Sequence, residues 1–340
     1  MGIKKALIAM SLMGAFSFLL GCNDPEVGSK ERPFTMYFVP SVDSQTIAKT
    51  AGDLIKFVEK EVSQELYGKD EGFYIKSAIP TSYIAVVEAF GTGRAEFATF
   101  NTFSYILTKD VKKYPIEAIL TVIHGNGEST YKGQIIARSD SKINSIEDLA
   151  GKKFAFTDPA STSGFILPSQ LLKEKGINLG EVVFAQKHDN VVTMVYQGQV
   201  DAGATYYSSP FTEEVNGKKV SKIQDARARV MTQFPDVEKK VKIVGFTEDI
   251  PNEPWVIRTN IYKDNEKNLK LKNAMTKALL AYAQTEHGKK ELAEIYSVHG
   301  LVPANDDKYN GIRKTIAEQP VNLEEILNKK NLKKKSQAKK

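Results

Sequence analysis

Short strand-like runs that alternate with helical runs are the feature that most restricts the fold of this chain. The strand–helix pairs are 35–39 with 45–60, 72–79 with 82–90, 96–100 with 102–109, 153–156 with 165–175, and 182–184 with 190–197. This alternation predicts α/β domains, each built on a doubly wound sheet flanked by helices. The chain has 340 residues, enough for two lobes of ordinary domain size.

The junctions between these strands and helices are polar, and ligands of open α/β folds bind at the carboxyl ends of strands. We therefore expect the junctions to converge on one cleft. Glycine-rich or polar connections at 125–130 and 245–254 are candidate hinges between the lobes, with plain surface loops as the alternative. Closure of one lobe on the other would exclude water and strengthen every polar contact with a small ligand.

One junction, residues 158–164, predicts an anion-binding loop. Ser161, Thr162 and Ser163 precede a helical run, where hydroxyl groups add to the unpaired backbone N–H groups of a helix start. Gly164 is expected to let a ligand approach closely. Such a loop would bind an oxyanion without a cationic side chain. The segment alone leaves open that one serine is only an N-cap and the others contact solvent.

The N-terminus predicts a secretory signal over residues 1–21. Lys4 and Lys5 precede an apolar run at 6–20, which is too short to cross a bilayer. Residues 19–22 resemble the lipobox of bacterial lipoproteins, which implies that Cys22 carries a lipid anchor; an ordinary secreted protein is the alternative. Cys22 is the only cysteine, so neither an intrachain disulfide nor a cysteine-based metal site is possible. Residues 22–33 are predicted to be a flexible tether.

Seven lysines within residues 329–340 predict a basic, disordered tail. Removal of these seven and of the two leader lysines turns the formal charge from +6 to −3, so the folded body is not basic. A nucleic-acid partner is therefore not predicted. The tail could contact anionic lipid or could simply increase solubility.

Several segments together resemble the phosphate, phosphite and phosphonate solute-binding proteins of ABC importers. They are 38–41, 158–164, 197–203, 250–258 and 300–309. The resemblance implies a two-lobed periplasmic binding protein of type II, with lobe 1 formed by 34–125 plus 245–328 and lobe 2 by 126–244. It also implies a monomeric, lipid-anchored receptor on the periplasmic side of the membrane, which delivers a phosphorus oxyanion to an ABC permease.

The family's serine-threonine-serine loop grips the phosphorus oxygens, which implies that role for Ser161, Thr162 and Ser163. The resemblance also implies that Tyr83 and Tyr131 line the cleft. A phenol can donate to an oxyanion while its ring forms the wall of the pocket. Without the resemblance, the residue pattern alone favours a core position for each tyrosine.

His188 matches a family histidine that donates to the ligand, and we expect it to gain charge beside a dianion. Tyr206 is a departure, because family members tend to carry an acidic or amide residue near that position. Recognition of an amine is therefore in question. Glu253 is a candidate replacement carboxylate, with an exposed loop residue as the alternative. The remaining residues of interest are expected to be structural, namely His124, His287, His299, Asp201 and Trp255.

No catalytic residues, metal site or cofactor are predicted. The sequence has no metal-spaced cluster of His, Asp and Glu and no Gly-x-Ser-x-Gly motif, so an enzyme is not expected. Two other classes remain open. One is a receptor lipoprotein that signals to a membrane sensor kinase, and the other is an envelope lipoprotein that has lost its cleft.

Overall fold

The computed structural model describes residues 24–318, which form two large sheets with helices on both faces. The predicted signal peptide, Cys22 and the basic tail lie outside these residues. No helix within 24–318 is long and apolar enough to cross a membrane.

The strands are β1 (Phe34–Phe38), β2 (Ile75–Ala78), β3 (Phe97–Thr99), β4 (Ile116–Ile123), β5 (Thr130–Arg138), β6 (Phe154–Phe156), β7 (Val182–Phe184), β8 (Ala202–Tyr207), β9 (Phe211–Val215), β10 (Lys218–Lys222), β11 (Val241–Pro251), β12 (Pro254–Arg258) and β13 (Gly300–Pro303). The α-helices are α1 (Ser44–Tyr67), α2 (Tyr83–Gly91), α3 (Thr102–Ile106), α4 (Leu167–Glu174), α5 (His188–Tyr196), α6 (Val237–Lys240), α7 (Asn265–Gln284), α8 (Glu286–Tyr296) and α9 (Asn310–Glu318).

The first sheet, with its helices, is called lobe 1, and its strand order is β13-β4-β12-β3-β1-β2. β1 pairs in parallel with β2 and β3, whereas β12 and β13 run antiparallel to their neighbours. Successive side chains of a strand point to opposite faces. Phe34, Met36 and Phe38 therefore share a core with α1, α7 and α8, while Tyr37 packs with the core of α2 and α3.

The second sheet, with its helices, is called lobe 2, and its strand order is β11-β5-β8-β6-β7. β6 pairs in parallel with β7 and β8, and β5 runs antiparallel to β8 and β11. Leu172 of α4 packs on one face with Phe154 and Phe156, and Val191 of α5 packs on the other with Ala155. β9 and β10 form a separate antiparallel hairpin.

The chain passes between the two sheets at two points. β4 leads to β5 through residues 124–129, and β11 leads back to β12 through Asn252 and Glu253. The two crossings lie side by side, because the Asn252 amide donates to the Val122 carbonyl at 2.9 Å and to the Glu128 carbonyl at 2.7 Å. The first crossing overlaps the predicted hinge connection at 125–130, and the second falls within the one at 245–254.

The predicted lobe limit at residue 245 falls inside β11. This strand pairs with β5 along its length, from Val241 opposite Arg138 to Pro251 opposite Thr130. The return crossing therefore comes after Pro251, because the ladder with β5 keeps 245–251 in the second sheet. The division into lobes at 125 and 245 otherwise stays a prediction.

Two residues of the predicted tether, Val27 and Gly28, pack on lobe 1. Val27 is buried, and its carbonyl accepts a hydrogen bond from the Tyr262 hydroxyl at 2.8 Å. The Gly28 carbonyl accepts from the Tyr74 backbone N–H at 2.8 Å. Gly28 has φ +92° and lies against the Phe73 ring, so a larger residue would clash there. Burial and hydrogen bonds therefore fix Val27 and Gly28, and the flexible tether over residues 22–33 otherwise stays a prediction.

Candidate ligand-binding site

A cavity of about 670 Å³, partly open to solvent, lies between the two lobes. Lobe 1 contributes Val39, Tyr83, Asn101, His124, Trp255 and Tyr296, and lobe 2 contributes Tyr131, Ser161, Ser163, His188, Tyr206 and Arg229. Glu253 lines the cavity from the second chain crossing. The fold thus brings the predicted ligand residues to one cavity, with the exception of Thr162. Their contact with a ligand stays a prediction.

The predicted anion-binding loop, residues 158–164, is here called the hydroxyl loop. It follows β6 and leads into a single π-helical turn, Thr162–Ile166. Ser161 is the N-cap, because its Oγ accepts a hydrogen bond from the Gly164 N–H at 3.1 Å. Asp158 fixes the start of the loop, where its carboxylate accepts from the Ala160 N–H at 2.9 Å. The side chains of Ser161 and Ser163 are both buried and line the cavity. Ser161 thus combines the capping role and a position in the site.

Thr162 points to lobe 1 instead of lining the cavity. Its hydroxyl accepts from the Phe103 N–H at 2.9 Å and donates to Asn101 Oδ1 at 3.3 Å. The Asn101 amide in turn donates to the Ala160 carbonyl at 3.1 Å. These three bonds, here called the interlobe bracket, join the hydroxyl loop of lobe 2 to the start of α3 in lobe 1.

Gly164 serves the packing of the loop and not the approach of a ligand. A Cβ atom at Gly164 would lie 2.3 Å from Thr157 Oγ1 and 2.9 Å from Ser161 Oγ. Only glycine therefore lets the loop fold this tightly onto Thr157. The expectation that Gly164 makes room for the ligand differs from this geometry, because the crowding atoms belong to the protein.

Tyr83 and Tyr131 are buried donors on opposite walls of the cavity. Tyr83 begins α2 and is 1% exposed, and its hydroxyl has no hydrogen-bond partner among residues 24–318. Tyr131 lies on β5 and is 5% exposed. Burial, supported by the charges of nearby carboxylates, raises the pKa of both phenols well above the ordinary value. Both hydroxyls are therefore protonated and able to donate.

His188 is a neutral donor. Its Nδ1 accepts from the Tyr206 backbone N–H at 3.3 Å and lies 2.8 Å from Thr205 Oγ1, so the proton resides on Nε2. Burial, together with the charge of Arg229, lowers the pKa of His188 to about 3. Without a ligand this environment favours the neutral ring, and the expectation that His188 gains charge beside a dianion stays a prediction. It can still donate one hydrogen bond from Nε2.

Arg229 is the main residue that the sequence reasoning missed. It lies in the short 3₁₀ helix Ala226–Val230 of lobe 2, and its Nε donates to the Tyr206 hydroxyl at 3.2 Å. Its Nη1 donates to the Glu294 carbonyl at 2.7 Å, and its Nη2 donates to Ser297 Oγ at 3.0 Å. Arg229 therefore reaches across to the C-terminal end of α8, where a cation is favourable. No local motif marks it, because all these partners are distant in sequence.

His124 and Glu253 form an ion pair at the edge of the cavity. The Nδ1 of His124 lies 3.0 Å from the Ser297 carbonyl, and its Nε2 lies 3.3 Å from Glu253 Oε2. Since both partners are acceptors, both ring nitrogens carry protons. Burial alone would lower the pKa of His124, but the Glu253 carboxylate and the Ser297 carbonyl together raise it above its ordinary value. His124 is thus part of the site, and Glu253 already has a cationic partner.

We expect this ion pair to make the stability of the ligand-free protein depend on pH. A histidine with a raised pKa in the folded state stabilises the fold while it is protonated. Its contribution is complete below the unfolded value of 6.5 and disappears as the pH rises through the folded value. Thermal unfolding at about pH 6 and about pH 8 measures the loss. His124→Gln should reduce the difference between the two melting temperatures, and His287→Gln, at the surface, is the control. An unchanged pH dependence in His124→Gln would contradict the ion pair.

Two other residues take structural positions. Asp201 accepts from the Lys153 backbone N–H at 2.8 Å, in agreement with its structural interpretation. Trp255 packs edge-on against Phe97, with ring centroids 6.0 Å apart, and also lines the cavity. The described residues contain one group that could hold a metal ion, formed by Asp53, His287 and Glu291. These three residues lie on α1 and α8, and none of them lines the cavity.

The described residues form two α/β lobes, which are joined by two chain crossings and enclose a polar cavity. This arrangement defines a two-lobed substrate-binding protein of type II. Solved structures confirm the predicted fold class. The binding-protein component of an ABC phosphonate transporter from Pseudomonas aeruginosa superposes with a TM-score of 0.63 at 20% identity, over 93% of this chain and 97% of that one. PhnD1 of Prochlorococcus marinus, in complex with methylphosphonate, superposes with a TM-score of 0.66 at 16% identity, over 87% of this chain and 98% of that one.

The chain belongs to the family described as "ABC transporter, phosphonate, periplasmic substrate-binding protein", whose profile matches residues 36–309. The phosphate-import protein PhnD of Mycolicibacterium smegmatis is 29% identical over 51% of this chain, and the alignment spans only 54% of that protein. The phosphonates-binding periplasmic protein of Escherichia coli is 20% identical over 76% of this chain and 70% of its own length. The family confirms the suspected resemblance, and a family of substrate-binding proteins agrees with the prediction that the chain is not an enzyme.

Proposed function

We propose that this chain is an extracytoplasmic solute-binding protein that captures a phosphorus oxyanion between its lobes. Phosphate, phosphite and small phosphonates form the ligand class. The Tyr83 hydroxyl is the observation that carries the proposal, because it is buried beside the cavity and has no partner within the described residues. A buried hydroxyl without a partner costs about 1–3 kcal/mol, and an oxygen of the ligand would remove that cost.

The other polar groups of the cavity support an anionic ligand. Ser161 and Ser163 bring hydroxyls, His188 brings a neutral Nε2–H, and Arg229 brings a guanidinium from the same lobe. Neutral donors together with one cation suit an oxyanion, because each oxygen accepts several hydrogen bonds and the net charge is compensated. Both lobes contribute polar groups to the cavity, so such a ligand would contact both of them.

The names of the similar proteins point to the same ligand class. The relative from Mycolicibacterium smegmatis is named for phosphate import, and the structure from Prochlorococcus marinus holds methylphosphonate. Another Prochlorococcus marinus relative, 24% identical over 43% of this chain, is named as a probable phosphite-binding protein. These ligands share a tetrahedral phosphorus with at least three oxygens, and this shared chemistry is what we assign to the chain.

The receptor is proposed to deliver its ligand to an ABC permease as a monomer. We also propose that it is anchored on the periplasmic side of the cell membrane by a lipid on Cys22, which rests on the lipobox-like residues 19–22. Metabolic labelling with a fatty acid tests the anchor, with Cys22→Ala as the unlabelled control. Uptake of the ligand by cells that lack the chain tests the transport role, and undiminished uptake would favour a sensing receptor instead.

Calorimetric titration of the ligand-stripped chain, begun at Asn23, tests the ligand class directly. We expect micromolar or tighter binding of phosphate, phosphite or methylphosphonate. Ser163→Ala should weaken that binding by about 10- to 100-fold, since a hydrogen bond to a charged group contributes about 1.5–3 kcal/mol. Ser169→Ala on α4, whose hydroxyl bonds the Ile166 carbonyl and does not line the cavity, is the matched control. Absence of binding to all three ligands would overturn the proposed function.

A further inference from the structure

The charged side chains that line the cavity carry more positive than negative charge. Arg229 lines the cavity and is only partly exposed, and no carboxylate forms an ion pair with it among the side chains that the structure describes, which exclude those of residues 213 and 215. Its hydrogen bonds go to neutral groups, namely the Tyr206 hydroxyl, Ser297 Oγ and backbone carbonyls of α8. A guanidinium carries a positive charge. An anionic ligand would bring this guanidinium a partner of opposite charge.

Glu253 is the one carboxylate among the described residues that line the cavity, and it already has a cationic partner. Glu253 lies 3.3 Å from His124 Nε2, and the other nitrogen of His124 lies 3.0 Å from the Ser297 carbonyl. This arrangement makes His124 a cation that faces Glu253 directly. Among the lining residues, Arg229, His124 and Glu253 therefore leave one positive charge in excess. No lining carboxylate remains for an ammonium group on the ligand.

The hydroxyl of Tyr206 is also poorly placed to receive an ammonium group. One of its lone pairs is taken by Arg229 Nε, at 3.2 Å, so a second cation at this oxygen would lie next to the guanidinium. Two like charges at such a separation repel each other strongly in a cavity that is partly shielded from water. The rest of the lining includes the apolar side chains of Val42, Val122 and Val298 beside neutral polar residues such as Ser41, Thr99 and Asn101. An uncharged substituent is compatible with both features.

We infer that Arg229, held by Tyr206, makes this site selective against ligands with an ammonium group. The site takes a phosphorus oxyanion whose fourth substituent is small and uncharged or is a further oxygen, and it rejects aminoalkylphosphonates. This inference rests on the proposed function. It assigns Arg229 as a specificity-determining residue of the same cavity.

The decisive comparison uses two ligands of equal size and different charge. 2-Aminoethylphosphonate and n-propylphosphonate differ only in an ammonium group in place of a methyl group. We expect calorimetry at about pH 7 to show n-propylphosphonate binding at least about tenfold more tightly, because only the ammonium group meets the excess positive charge. Equal affinities, or tighter binding of 2-aminoethylphosphonate, would overturn the selectivity. If methylphosphonate, phosphite and phosphate also fail to bind, the proposed function itself is wrong, and the two failures are thus distinguishable.

A substitution then assigns the selectivity to Arg229. Arg229→Gln keeps hydrogen-bonding capacity and removes the charge, so it should reduce the ratio of the two affinities toward one. Arg138→Gln is the matched control, because Arg138 belongs to the same lobe, pairs with Asp140 at the surface and does not line the cavity. An unchanged ratio in a folded Arg229→Gln protein would refute the role of Arg229. The ligand comparison in the parent protein tests the selectivity even if the variant does not fold.

Discussion

Tyr83→Phe is expected to weaken ligand binding and, at the same time, to stabilise the ligand-free protein. The Tyr83 hydroxyl is buried without a partner among residues 24–318, so its removal relieves a desolvation cost in the absence of ligand. We expect the ligand-free protein to gain about 1 kcal/mol of unfolding free energy, visible as a rise of about 2 °C in melting temperature. Affinity for the phosphorus oxyanion should fall by about 10- to 100-fold, because the ligand loses a donor.

Tyr282→Phe is the matched control for this pair of opposite effects. The Tyr282 hydroxyl is likewise buried and unpartnered within the described residues, but it lies on α7 and does not line the cavity. Its substitution should raise the stability and leave the affinity unchanged. If Tyr83→Phe bound the ligand as tightly as the parent protein, Tyr83 would not donate to the ligand.

Gly164→Ala is expected to damage both folding and binding. The added methyl group would lie 2.3 Å from Thr157 Oγ1, and the Thr157 hydroxyl lies 3.2 Å from His188 Nδ1. The loop and the histidine therefore have to move together. Overpacking of this kind costs about 1–3 kcal/mol of unfolding free energy, and we expect at least about a tenfold loss of affinity. Urea unfolding and calorimetry measure the two effects.

Gly52→Ala provides the control for glycine replacement. Gly52 lies inside α1, and nothing is within 4 Å of the position of its added Cβ. Alanine should stabilise the helix there by about 0.5–1 kcal/mol and leave binding unchanged. Parental stability and affinity in Gly164→Ala would show that the loop does not depend on its contact with Thr157.

Local sequence patterns predicted the main strand–helix pairs and the position of the hydroxyl loop. The strand at 182–184 has the predicted limits, because three apolar residues stand between polar turns. Helix α1 runs seven residues beyond the prediction, to Tyr67, since Val62 and Ser63 are also buried. Its end is set by Gly68 in a left-handed conformation with φ 67°, a signal that the sequence does contain.

The charged part of the site could not be read from local patterns. His124 meets Ser297 and Glu253 across 173 and 129 residues of sequence. Arg229 reaches the end of α8 across about 65 residues, and no motif surrounds either basic residue. Thr162 stands between two residues that line the cavity, yet its hydroxyl faces the other lobe. Such orientations arise from tertiary packing, which a pattern of residue types does not encode.

The interlobe bracket has a consequence for the lifetime of the complex. Asn101 and Thr162 join the lobes through bonds between protein groups alone, and so do the bonds of Arg229 to α8. These contacts have to break each time the lobes separate, whether or not the cavity is filled. The barrier to separation therefore includes a part that no ligand contributes, and this part lengthens the residence time of any ligand inside. The same contacts keep a fraction of the ligand-free protein with its lobes together. A membrane partner therefore has to distinguish this closed, ligand-free form from the ligand-bound form.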